Sequence, residues 1–69
     1  MLKKRSVMIA GHRTSVALEA EFWTVLEREA AAGKISLAAL VARIDRDRGG
    51  RALASALRLA ALAAVQRNR

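Results

Sequence analysis

The chain has no cysteine, no proline, no tyrosine and a single histidine. Without thiols it forms no disulfide, and one imidazole with scattered carboxylates builds neither a structural metal site nor a general-base and nucleophile pair. No catalytic residue, metal or cofactor is therefore expected. These absences matter because the chain has only 69 residues. A domain of that size buries only about 60% of the surface its unfolded form exposes, so it needs a staple or a partner. With disulfide and metal excluded, self-association remains, and the expectation is a homodimer without a folded monomer. Aromatics are scarce too, one Trp and one Phe, whereas sixteen residues are alanine. Small side chains suit close helix packing and leave little to line a ligand pocket.

Acidic residues are also few, six against thirteen Lys and Arg, giving a net charge of +7. So large a charge on so small a domain favours a polyanion, nucleic acid before anionic membrane. No apolar run approaches the roughly 18 residues of a membrane span, since residues 52–65 are interrupted by Ser55 and Arg58. The basic start Lys3-Lys4-Arg5 is followed only by the short apolar run Val7 to Ala10, less than a secretory h-region requires. A cytoplasmic location with no membrane partner is expected.

The basic end is distinct: Lys3, Lys4, Arg5 and Arg13 precede any acid, and Glu19, Glu21, Glu27 and Glu29 follow. In residues 12–18, Thr14, Val16 and Leu18 alternate with Arg13, Ser15 and Ala17, the period of a half-buried strand. Val7 and Ile9 alternate in the opposite phase, so residues 1–11 form a basic extension or an extra strand. Gly11 then resets the phase, as a bulge or as the first central residue of a Gly-His turn. Helical spacing follows in residues 20–32, with Phe22, Val25, Leu26 and Ala30 on one stripe, and Gly33 ends it. Ser36 precedes a second helix, 36–47, and Gly49-Gly50 separates it from a third, 52–66, which is apolar almost all round. Leu53, Leu57, Leu59 and Leu62 cannot all face one surface, so some are expected to pack across chains. The mixed run from Arg43 to Arg51 reads as a solvated helix face.

The runs Gly11-His12-Arg13-Thr14-Ser15, Glu21-Phe22-Trp23, Ile35-Ser36-Leu37-Ala38-Ala39-Leu40 and Ser55-Ala56-Leu57-Arg58 resemble a small bacterial subfamily of the ribbon-helix-helix DNA-binding family. The resemblance covers nearly all of the chain. It implies a mainly α protein with a short β-ribbon and an additional C-terminal helix, forming an intertwined homodimer in which strands of two chains pair and enter the major groove. It also implies that Arg13, Ser15 and Ala17 face base edges: Arg donates to guanine, Ser donates or accepts, and Ala touches only a thymine methyl. The start of the second helix, Ser36 and Leu37 with Lys34 nearby, would hold a phosphate on its free amides, and Lys3, Lys4 and Arg5 would add phosphate contacts. Val16, Leu18, Phe22, Leu26, Leu40, Ile44 and Leu57 would form the core and dimer contacts. Trp23 is read as a core or dimer-edge residue, and Ala20 stands where the family often has Pro.

The expected function is duplex DNA binding as a transcriptional regulator. Two alternatives stay open: an antitoxin whose partner is a toxin, and a dimerisation or protein-interaction module whose ribbon meets no DNA.

Overall fold

A computed structural model describes residues 1–67. The chain runs β1 (Leu2–Ile9), β2 (His12–Glu19), α1 (Ala20–Ala32), α2 (Leu37–Asp47) and α3 (Leu53–Arg67). Arg69, which adds to the basic C-terminal end of the sequence, lies outside the described residues.

β1 and β2 form an antiparallel two-stranded sheet, with Leu2 opposite Glu19 and Ile9 opposite His12. Within the described chain the strand at 12–18 has β1 as its neighbour, so residues 1–11 supply an extra strand. This register also settles the phase problem. Odd positions of β1 stand opposite even positions of β2, so Val7 and Ile9 share the helix-facing side with Val16 and Leu18 although their parity differs. The reversal is a two-residue loop at Ala10-Gly11, both left-handed with φ of 51° and 82°, as a type I′ hairpin turn requires. Gly11 is thus the second central residue, not the first, and Ala10 carries the positive φ expected of Asn or Gly.

The buried stripe of α1 is Trp23, Leu26 and Ala30. Trp23 is 1% exposed, while Phe22 is only partly buried at the core margin. The core therefore centres one residue, a 100° step, from the stripe drawn through Phe22. The indole explains the choice: its Nε1 donates 2.8 Å to the Lys3 carbonyl, so a buried polar atom is satisfied while β1 is fastened to α1.

α1 ends in a Schellman motif. The Ile35 amide donates to the Ala30 carbonyl and that of Lys34 to the Ala31 carbonyl, each at 3.0 Å. The left-handed residue that this motif needs is Lys34, with φ 57°, while Gly33 keeps a right-handed φ of −87°. Gly33 stands at the helix end as expected, but its conformational freedom goes unused.

The shared core joins Val7, Ile9, Val16, Leu18, Leu26, Leu40, Val41, Leu57 and Ala61, with Ile44 and Leu53 packed against it. In the α2 to α3 connection, Arg48 binds Asp45 at 2.6 Å and donates to the Arg51 carbonyl at 2.7 Å, so part of the mixed-charge run fastens a loop. α3 buries Ala56, Leu57, Ala61 and Ala64. Leu59 and Leu62 stay exposed, so a single chain covers one side of this helix only.

Candidate nucleic-acid interface

The hairpin register fixes two faces. Toward the helices stand Lys3 and Arg5 on β1, opposite Leu18 and Val16. Toward solvent stand Lys4, Ser6 and Met8, opposite Ala17, Ser15 and Arg13. The structure thus brings Arg13, Ser15 and Ala17 onto one open surface and adds Lys4, Ser6 and Met8 beside them. Ser6 and Met8 were missing from the sequence-based set because β1 had no assigned register.

The three N-terminal cations, which the sequence alone does not distinguish, occupy different places. Lys4 projects from the solvent face. Lys3 lies on the helix-facing side, at an exposed edge. Arg5 is engaged: its guanidinium lies 5.1 Å from the Trp23 ring centre and 3.1 Å from the Glu27 carboxylate. A cation held over an aromatic face and neutralised by a carboxylate contributes less field than a free one.

At the start of α2, Ser36 is extended and its hydroxyl accepts from the Ala39 amide at 3.0 Å. That bond satisfies one of the orphan amides of the first turn and leaves those of Leu37 and Ala38 facing outward, with Lys34 two residues upstream. A helix start of this kind attracts an anion through its dipole and free N–H groups.

Acids near the hairpin are turned elsewhere. Glu19, at the end of β2, accepts 2.9 Å from Arg58 of α3. This hydrogen bond, followed by one from its own backbone amide, holds its carboxyl below the ordinary 4.5. Arg58 also lies 5.9 Å from the Phe22 ring centre. Glu29 pairs with Arg67. Among the described residues, no group of three or more His, Cys, Asp or Glu could hold a metal ion.

A basic two-stranded ribbon leading into two helices is the arrangement described for one domain family, and residues 2–65 match its ribbon-helix-helix domain. The chain belongs to the ribbon-helix-helix family. No curated protein and no solved structure matches the chain. As a ribbon-helix-helix chain it has a fold whose members are generally dimeric, non-enzymatic DNA-binding proteins, regulators or antitoxins. This ribbon-helix-helix chain carries a third helix after the two that name the family, and no helix of its described residues is long and apolar enough to cross a membrane.

Proposed function

We propose that this chain is a DNA-binding transcriptional regulator that works as a homodimer and lays the outer face of its β-ribbon in the major groove. The observation that carries the reading is the solvent face of the hairpin. Arg13 and Lys4 flank Ser6 and Ser15 on an open surface, backed by apolar residues that fix its orientation. Two strands about 4.8 Å apart fit a groove about 12 Å wide. On this surface Arg13 donates to guanine O6 and N7, Ser15 and Ser6 donate or accept, and Ala17 and Met8 offer apolar contact to thymine methyls. Lys3, Lys4, Lys34 and the α2 amides at Ser36 and Leu37 supply phosphate contacts, and Arg5 adds to the field from its place beside Glu27. A cytoplasmic site of action fits such a protein. α3 packs its Leu57 fully into its own chain, which favours a regulator over an antitoxin whose last segment awaits a toxin.

The test is selection of bound fragments from genomic DNA, followed by titrations at two salt concentrations. Arg13→Ala should weaken the selected site by about 1–3 kcal/mol and relax preference at one base per half-site. Replacing Lys3 and Lys4 by Ala should weaken all sequences alike and lower the salt slope by about 0.9 per lost phosphate contact. Equal, sequence-independent losses in both variants would make the ribbon an electrostatic platform. No loss in either would reassign it to a protein.

A further inference from the structure

Lys3 and Arg5 leave β1 on the same side, toward the helices, yet they meet different surroundings. None of the ion pairs among the described residues involves Lys3, Lys4, Arg13 or Lys34. Arg5 instead lies across α1, over the ring of Trp23 and against the carboxylate of Glu27 one turn further on, with both charged side chains about half exposed. The ring beneath it is fixed, since Trp23 is buried and its indole is bonded to the Lys3 carbonyl. One cation of the hairpin is docked on the protein while its neighbours stand clear.

Stability gives little reason for this, because a half-exposed ion pair contributes little to the fold. Its place matters more to a polyanion. With the outer face of the ribbon against the floor of a groove about 8.5 Å deep, the helix-facing side of β1 stands at the height of the flanking phosphates rather than of the bases. Lys3 and Arg5 are there together. We infer that Glu27 is a positioning residue that keeps Arg5 off the DNA, so that the chain binds any duplex with one phosphate contact fewer than its N-terminal cations could make. The inference rests on the DNA-binding part of the proposed function.

Two effects hold Arg5 where it is. Transfer to a phosphate exchanges two partners, the ring and the carboxylate, for one. It also leaves Glu27 bare beside a polyanion, which repels it. Salt does not tip the balance, since it screens the Glu27 pair and a phosphate contact alike. The consequence falls on selectivity. A phosphate contact raises affinity for every sequence and separates none of them, so restraining one shortens the stay of a +7 domain on bulk DNA. A larger share of the binding is then left to Arg13 and Ser15 on the outer face.

The experiment compares the native chain with Glu27→Gln, Arg5→Gln and the double variant, each titrated with a short duplex of arbitrary sequence from about 50 to 200 mM salt. Both side chains are exposed enough for glutamine to replace them, and circular dichroism checks the folds. Glu27→Gln should bind about five- to tenfold more tightly at 0.1 M salt, with a salt slope steeper by about 0.9 per copy. Arg5→Gln should keep the native slope, and the double variant should lose the gain, because the gain belongs to Arg5. Trp23 is the only tryptophan, so its emission reports where Arg5 lies. Duplex should leave the native emission unchanged and shift that of Glu27→Gln. An equal gain in the double variant would overturn the inference, since Glu27 then acts by its own repulsion. A flatter slope in Arg5→Gln, or a native emission that shifts with duplex, would overturn it too, because Arg5 then already meets phosphate. These results leave DNA binding by the ribbon standing, whereas absence of duplex binding by all four proteins would overturn both readings.

Discussion

Replacing Lys34 by Gly should set a gain in stability, which follows from one backbone angle, against a loss in DNA affinity, which follows from one removed charge. Lys34 holds φ 57° in the Schellman motif that ends α1. A non-glycine residue in that region costs about 1–2 kcal/mol. Glycine removes the cost but brings more unfolded-state freedom, about 0.5–1 kcal/mol, so the net gain is about 0.5–1 kcal/mol. For a domain of this size that raises the thermal midpoint by roughly 2–8 °C. The same substitution removes an ammonium two residues before Ser36. If that charge meets a phosphate, the salt slope falls by about 0.9 per copy, which at 0.1 M salt is a loss of about five- to tenfold per contact. Lys34→Ala separates the two effects, because alanine keeps the strained conformation and loses only the charge. Its DNA loss should match that of the glycine variant, and its midpoint should stay near the native one. Calorimetry and mobility-shift titration of all three proteins, at one fixed protein concentration, decide the matter. A glycine variant no more stable than the alanine one would refute the strain argument. Native affinity in both would remove Lys34 from the interface.

Ala10→Asn should stabilise the hairpin by about 0.5–1 kcal/mol, since Asn-Gly is the preferred type I′ pair and alanine is strained at positive φ; chemical denaturation measures it. Trp23→Phe should cost about 1–3 kcal/mol by orphaning the Lys3 carbonyl and shrinking the core, whereas Phe22→Leu, at the core margin, should cost less than about 1.5 kcal/mol. Glu19 has a depressed folded pKa, so its pairing with Arg58 stabilises the fold above the ordinary value of 4.5 and is lost as pH falls below it toward the folded value. Acid unfolding of Glu19→Gln should accordingly lack part of the native slope below pH 4.5.

Where periodicity is long, local sequence and tertiary packing agree. The helix at 20–32 and the alternation from Thr14 to Leu18 were legible because a 3.6-residue or two-residue period repeats several times. The pairing of β1 was not, because the rule that antiparallel partners sum to a constant appears only once the turn is placed, and Ala10-Gly11 lacks the Asn or Asp that advertises a hairpin. Phe22 and Trp23 stand one helical step apart, and periodicity cannot choose between them; the Lys3 carbonyl within reach of the indole does. Gly33 drew attention as the end of α1, yet the left-handed conformation passes to Lys34, whose neighbours Ile35 and Ala30 close the motif. On the site, Arg13, Ser15 and Ala17 could be grouped from their parity, but dividing Lys4 from Lys3 and Arg5 needed the register. The open side of α3 was hidden because its composition is apolar in every direction, and only packing against α1 and α2 selects which leucines are covered.

Because β1 and β2 are consecutive and closed by a two-residue turn, the ribbon assembles by a local, unimolecular event on a timescale of about 1–10 μs rather than by collision of two chains. The register of the outer face, Lys4, Ser6 and Met8 opposite Ala17, Ser15 and Arg13, is thus written into one stretch of eighteen residues, Leu2 to Glu19.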